Sequence, residues 1–338
     1  VDYGWKMQAV GDAVYVVAVK PGSDAEAQGL KPGDEVVSVD GFRPTRPVLW
    51  KMEYNYTVLR PQPGKRVVVR SPDGAERELA LKAKVEKLDK SVNLEQYYRA
   101  FEDEREDAKK LPRFYELGAA EGDVLVWKLR EFGFTDSKVD EMISKARRHK
   151  ALVLDLRGNP GGAEKTLQRM LGYVFDRDVK IGEVKRRKEA KQLAAKTKGE
   201  KSFKGTLVVL VDSESGSAAE LFSRVVQIEK RGTVVGDRSA GAVMRSIFRP
   251  GLLGDMSSGN MIEYGVSVTD ADIVLTDGQS LEHTGVTPDV YVLPTPTDLR
   301  ERRDPALAKA VELAGGQLTP DKAGTLFPPE IELKSTHR

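Results

Sequence analysis

The chain has 338 residues, with 54 Lys plus Arg against 52 Asp plus Glu, three His and no Cys. A formal charge of +2 speaks against a dedicated nucleic-acid binder, which carries a clear basic excess. Zero Cys removes disulfide scaffolds, Cys-ligated zinc and thiol catalysis, and His149, His283 and His337 leave little from which to build a multi-His metal site or a Ser-His-Asp triad.

Residues 1–85 read as short strands between Gly/Pro turns. Ala13 to Val19 is β-rich and closed by Pro21-Gly22. Ser23 to Leu30 reads as a short helix with Ser23 as N-cap. Glu35 to Val39 is a strand ended by Asp40-Gly41. Arg46 to Leu59 has helical content, and Arg66–Arg70 with Glu76–Leu81 flank the hairpin signal Ser71-Pro72-Asp73-Gly74. The spacing predicts one small, mostly β domain over 1–86. Residues 87–111 carry the charge run Glu102 to Asp107 and read as a solvated helical linker.

From 112 the pattern becomes α/β. Strands are expected at Asp123–Leu129, Ala151–Leu156, Thr206–Val211 and from Thr233, and helices at Ser137–His149, Thr166–Phe175 and Ser217 to about Glu229. Alternating strands and helices predict a sheet covered on both faces, over 112–297, followed by a C-terminal extension, 298–338. Lys180–Lys204 carries ten Lys/Arg against three Glu and reads as a solvated loop or helical excursion. No run reaches 18 apolar residues, so no membrane-spanning helix is expected. A start at Val1 reads as a trimmed chain or a mature secreted form.

Three motifs carry chemistry. Asp155-Leu156-Arg157-Gly158-Asn159-Pro160-Gly161-Gly162 is a Gly-rich turn after a buried strand. Paired glycines let backbone N–H groups face developing negative charge, although an ordinary strand-to-helix turn explains the motif equally well by itself. Asp155 and Arg157 read as an ion pair. Asp212 to Leu221 follows a second buried strand and opens a helix at Ser217, where the helix N-terminus favours negative charge. By itself Ser217 reads as an N-cap, with Glu220 closing a capping box. Thr276 to Asp289 is loop-forming and holds His283.

Together these motifs resemble the C-terminal processing (tail-specific) serine peptidases and their retinoid-binding-protein-like and tricorn-core relatives. Gly29 to Gly41 resembles the PDZ domain core of these enzymes. The resemblance implies an α/β (α+β) chain, with a small β-rich PDZ domain before a ClpP/crotonase-like peptidase core. It implies a serine endopeptidase cleaving protein or peptide substrates near exposed C-termini. Ser217 would be the nucleophile, Gly161, Gly162 and Ala218 would supply the oxyanion hole, and Tyr3, Gly4, Trp5 and Lys6 would hold the peptide's carboxylate. No metal, cofactor or nucleic acid is implied, and the expected location is extracytoplasmic, periplasmic or secreted.

A Ser hydroxyl needs a base. In the resembled enzymes a Lys lies 25 residues after the nucleophile, and here that position holds Ala242. Arg238 and Arg245 stay protonated, and Lys230 lies roughly 20 Å along the helix that Ser217 opens. His283 and its neighbour Glu282 are the remaining candidates. Three readings stand: a Lys-less branch with another base, an engineered loss of Lys, or a non-catalytic relative that binds peptides or apolar ligands.

Overall fold

A computed structural model describes residues 1–85, 113–255, 260–329 and 331. The expected linker run Glu102–Asp107 lies outside them. The first 82 residues contain β1 (Trp5–Val10), β2 (Ala13–Val19), α1 (Asp24–Ala27), β3 (Glu35–Val39), α2 (Leu49–Tyr54), β4 (Gly64–Arg70) and β5 (Glu76–Lys82). The strands form one antiparallel sheet in the order β1-β2-β3-β4-β5. Alternation puts Trp5, Met7 and Ala9 into an apolar core with Val16, Val67 and Val69, and turns Lys6 and Gln8 outward. Ser23 caps α1 through Glu26 N–H at 3.2 Å, and α2 runs on as a π-helical turn, Asn55–Leu59.

The rest continues with β6 (Phe114–Leu117), β7 (Val124–Lys128), α3 (Asp136–Ala146), β8 (Ala151–Asp155), α4 (Glu164–Val174), β9 (Val179–Lys185), β10 (Ala190–Ala195), β11 (Thr206–Val211), α5 (Ala218–Ile228), β12 (Thr233–Gly236), β13 (Arg245–Asp255), β14 (Asn260–Leu275), β15 (Val290–Tyr291), α6 (Pro296–Glu301), α7 (Pro305–Leu313) and α8 (Pro320–Gly324). Six strands form a sheet in the order β15-β12-β11-β8-β7-β6, parallel except for β6. The apolar runs of β7, β8 and β11 are buried on both faces, as parallel strands covered by helices require. Helices α3, α4 and α5 cover one face. The other is covered by α7, through Ala306, Leu307, Ala310 and Val311, so the C-terminal extension completes the core.

Two expectations need correction. Lys180–Lys204 is no solvated loop. It includes the hairpin β9–β10, because Val179, Ile181, Val184, Leu193 and Ala195 are buried while the cations point outward. The long hairpin β13–β14 was not expected. With β9 and β10 it makes a second antiparallel sheet, order β10-β9-β14-β13. Among the described residues no helix is long and apolar enough to cross a membrane.

The N-terminal sheet docks by its edge strand on loops at the C-terminal edge of the parallel sheet. Lys6 Nζ meets Glu214 at 2.6 Å, Gln8 Nε2 donates to Asp212 at 2.7 Å, and Ser213 Oγ donates to Ala9 O at 2.6 Å. Arg46 pairs with Asp237 and donates to Arg238 O. The extension adds a second tie, with Arg300 at 2.5 Å from Asp34.

Candidate active site

Three loops leave the parallel sheet at the carboxyl ends of β8, β11 and β12, where open α/β sheets place their ligands. The turn after β8 is folded by its own side chains. Arg157 clasps Asp155 through Nε at 3.0 Å and Nη2 at 2.8 Å, and Lys128 adds a contact to Asp155 at 3.2 Å. Burial alone would raise the Asp155 carboxyl, but Arg157 and Lys128 outweigh it and hold the group well below the usual carboxylate range. Asn159, fully buried, donates to Leu129 O at 2.8 Å, accepts Gly161 N–H at 2.8 Å, and offers its carbonyl to Gly216 N–H at 2.8 Å.

Those bonds bring Gly161 against Ser217. With φ at +104°, Gly161 sits where a Cβ would lie 2.5 Å from Ser217 Cβ and 2.9 Å from Ala218 N, so only glycine fits. Because its N–H is spent on Asn159, Gly161 cannot donate to an oxyanion, which corrects one expectation. Gly162 N–H and Ala218 N–H make no hydrogen bond among the described residues. Ala218 follows the serine in the chain, and Gly162 follows the glycine packed against it.

The loop after β11 is knotted by Asp212 and Ser215. Asp212 accepts Gly158 N–H at 2.9 Å and Glu214 N–H at 3.0 Å, and Ser215 Oγ donates to Leu156 O at 2.9 Å. Ser217 follows at φ 50° and ψ −116°, the first central position of a type II′ turn, which favours glycine. Such strain costs about 1–3 kcal/mol and concentrates at functional sites. The local sequence suggested a capping box, and only half of it forms. Glu220 accepts Ser217 N–H at 3.0 Å, while Ser217 Oγ accepts nothing from α5. The hydroxyl has no hydrogen-bond partner among the described residues.

The loop after β12 is held from outside. Glu220 is fully buried. One of its oxygens accepts Ser239 Oγ at 2.5 Å and Gly241 N–H at 2.7 Å, and the other accepts Ala242 N–H at 2.9 Å as well as Ser217 N–H. Burial raises the Glu220 carboxyl against the pull of these donors. Ala242 O in turn accepts Ser217 N–H at 2.9 Å, so position 242 touches the serine. Its methyl group cannot accept a proton. Glu282, an expected candidate base, is committed elsewhere: it accepts Val243 N–H at 2.8 Å and Met244 N–H at 3.0 Å. His283 is exposed; its backbone N–H bonds Gly241 O at 2.8 Å, and its ring has no partner among the described residues. Neither group hydrogen-bonds Ser217.

The expected peptide-holding stretch is only partly open. Tyr3 and Trp5 are buried, and Tyr3 Oη donates to Tyr56 O and Gln62 O. Gly4 N–H is taken by Asp2 at 2.9 Å. Lys6 is spent on Glu214, so it is not free for a peptide carboxylate. Burial alone lowers the Lys6 ammonium, but Glu214 reverses the effect and raises it. Sequence reasoning gave no role to Asn159, and it read Glu220 as a local cap. Each joins segments that local spacing cannot relate.

Residues 123–292, just over half the chain, match a family described as peptidase family S41. The chain is 25% identical over 295 residues to the carboxy-terminal processing protease CtpA of Bacillus subtilis, covering 85% of this chain and 55% of that one. It is 30% identical over 198 residues to a tricorn protease homologue of Streptomyces coelicolor, covering 53% of this chain and 15% of that one. The chain thus spans about half the length, or less, of these relatives. Among solved structures, photosystem II D1 C-terminal processing protease is similar at a TM-score of 0.51 and 22% identity, covering 94% of this chain and 78% of that one. Mature CPAF, complexed with lactacystin, is similar at 0.58 and 15%, covering 88% and 79%. At these identities the likeness concerns the fold.

Proposed function

Given that this chain belongs to peptidase family S41, we propose that it is a serine endopeptidase whose nucleophile is Ser217. The observation that carries the reading is the contact of Gly161 with Ser217 and Ala218, which packs the Gly-rich turn against a strained, uncapped serine, with the neighbouring Gly162 and Ala218 N–H groups unpaired among the described residues. In this reading Ser217 Oγ attacks a peptide carbonyl. The carbonyl oxygen becomes an oxyanion held by Gly162 and Ala218 N–H at the positive end of α5. Collapse breaks the C–N bond, the amine leaves with the proton that Ser217 gave up, and the acyl-serine is then hydrolysed by water, which releases the acid and returns a proton to Ser217. Glu220, Asn159 and Glu282 act as positioning residues for the loops around Ser217.

We further propose that the N-terminal sheet is PDZ-like and presents substrate C-termini to this site. The support is its β1 edge, docked on the Asp212–Glu214 loop. A location outside the cytoplasm follows from the resemblance, and fractionation of the source cell tests it.

One observation favours a second reading. No titratable side chain hydrogen-bonds Ser217 Oγ among the described residues, as suits a peptide-binding protein on a peptidase fold. Fluorophosphonate labelling separates the two. Covalent capture at Ser217, lost in Ser217→Ala, supports the peptidase. Tight peptide binding with no labelling supports the carrier.

A further inference from the structure

The N-terminal sheet meets the loops around Ser217 along one line. Lys6, Gln8 and Ala9 of β1, Gly11 in the turn after it, and Arg46, which bonds Gly11 O at 3.0 Å, make the contacts with the Asp212–Glu214 loop and with Asp237. These contacts are polar. A sheet held by one edge strand can turn about that edge, and such motion is the default unless an interface is large and hydrophobic.

A second attachment lies off that line. Val16 of β2 is opposite Met7 of β1, and its own N–H and C=O bond the turn Lys31–Asp34 on the other side, to Asp34 O and from Gly33 N–H, both at 2.8 Å. The turn is therefore two strand spacings, roughly 10 Å, from β1. There it meets α6. With φ at +85°, Gly33 sits where a Cβ would lie 2.1 Å from Pro296 O, so only glycine lets the two backbones touch. Asp34 is fully buried and accepts Arg77 from its own sheet and Arg300 from α6, and Arg300 also donates to Pro32 O at 3.2 Å. Release of either guanidinium leaves a buried carboxylate under-paired, so both are held tightly.

The extension is itself fixed to the site. Asp298 accepts Thr295 Oγ at 2.6 Å and Arg303 Nε at 2.8 Å, which braces the corner between α6 and α7. Four residues after Arg300, Asp304 clasps Arg157 of the Gly-rich turn, and α7 packs into the core behind it. Arg300 and the turn that packs against Ser217 thus belong to one braced piece.

We propose that Arg300 is a positioning residue. It bolts the Lys31–Asp34 turn to α6 and fixes the N-terminal sheet in one place relative to Ser217, blocking rotation about the β1 line. The sheet then stays at one distance from the serine, which matters to a substrate long enough to touch both. That consequence for hydrolysis rests on the peptidase reading; the bolt itself does not.

The chain has no Cys, so Glu78→Cys on β5 and Glu141→Cys on α3, both at exposed positions, give one unambiguous spin-label pair across the junction. Double electron–electron resonance on the full chain should return one narrow distance. Arg300→Ala should add a second distance, and Arg300→Lys, which keeps the charge but not the fork, should restore part of the narrow one. Arg77→Ala is the control. Arg77 and Arg300 have equally exposed side chains, 34%, and grip the same carboxylate, but Arg77 belongs to the sheet itself, so its loss should leave the distance narrow. If a circular dichroism melt shows that Arg300→Ala does not fold, Arg300→Gln keeps the side-chain stem and takes its place. A parent distribution that is already broad overturns the proposal. So does an Arg300 variant as narrow as the parent, or Arg77→Ala broadening the distance as much, since the pairing of Asp34 and not the tie to α6 would then set the spread. In hydrolysis, Arg300→Ala should raise KM for an unfolded protein and leave both constants for a short peptide in place, a split that lost stability does not produce. No split in a protein that labels overturns the positioning role. Fluorophosphonate labelling of the parent is scored separately. Absent labelling with distances that respond as expected sinks the peptidase reading and leaves the bolt standing; labelling with distances that ignore Arg300 does the reverse.

Discussion

The turn after β8 and the loop after β12 both meet Ser217, one at its side chain through Gly161 and the other at its N–H through Ala242 O, and both are held by side-chain acceptors. Asn159 and Asp212 hold the first, and Glu220 and Glu282 hold the second. They differ in what is left over. The first leaves Gly162 N–H without a hydrogen bond among the described residues. The second spends its amides on carboxylates and presents the methyl group of Ala242. A loop whose shape is set by its backbone N–H groups keeps that shape whatever side chain it carries. The position beside the serine is thus preserved, while its chemistry depends on one residue.

The largest effects test that division. Ser217→Ala should abolish fluorophosphonate labelling and any peptide hydrolysis, with the melting temperature nearly unchanged because the hydroxyl has no partner to lose. Labelling that survives the change would remove Ser217 from the mechanism. Next comes Ala242→Lys. If the loop is already shaped for a base, a lysine there should raise hydrolysis by about 100-fold, the lower range of general-base contributions. The rise should follow deprotonation of the new amine, with kcat climbing through alkaline pH. No gain, in a protein that folds and labels, would mean that position 242 is near the serine backbone but turned from its hydroxyl.

Much of this frame is legible in the sequence. Ala151–Leu156 and Thr206–Val211 are near-continuous apolar runs, as doubly covered strands use, and each ends in a motif that fixes a loop. The three-residue spacing of a capping box correctly brings Glu220 to Ser217 N–H, but spacing cannot reveal that the same carboxylate also binds Ser239, Gly241 and Ala242. The β9–β10 hairpin was masked by the cations interleaved through it, which leave Val179, Ile181 and Val184 inside. In the outer part of β13–β14, Tyr264-Gly265-Val266-Ser267-Val268-Thr269 alternates as a strand does, but the described side chains from Tyr264 to Thr269 are exposed on both faces, so no core-facing pattern marked the hairpin. Contacts such as Lys6 with Glu214 join residues 208 apart, and no local pattern encodes them.

Smaller effects separate the two clamps. Glu220→Gln replaces an acceptor of four donors with a group that has one acceptor oxygen and an NH2 facing N–H groups. It should destabilise the fold by about 3 kcal/mol, read by chemical denaturation, and slow any hydrolysis further than the stability loss accounts for. On the other side, Arg157 is held by Asp304 through two bonds, 2.9 and 2.7 Å, and Asp304 also caps α7 through Leu307 N–H at 2.9 Å. Asp304→Ala should cost about 2 kcal/mol by removing a cap and leaving a partly buried guanidinium half-paired. An equal loss of activity from both variants would mean that the loops respond to stability alone, and the contrast between them would fall.

The weakest expected effect concerns the outer side of the loop before Ser217, where Glu214 meets Lys6 of the N-terminal sheet. Burial, and then the charge of Glu214, push the Glu53 carboxyl up to about 7. A carboxyl raised in the folded state binds its proton more tightly there than in the unfolded chain. Its contribution is therefore intact at acid pH and is lost as pH rises from the unfolded value of about 4.5 through about 7. Glu53→Gln removes that loss. The variant should match the parent near pH 4.5 and melt higher than it above pH 7, with the gap opening between. A gap constant across that range would show that Glu53 does not feel Glu214. A gap that closes when Glu214→Gln is added would show that the two carboxylates repel across the junction, and that the N-terminal sheet is electrostatically coupled to the loop that carries Ser217.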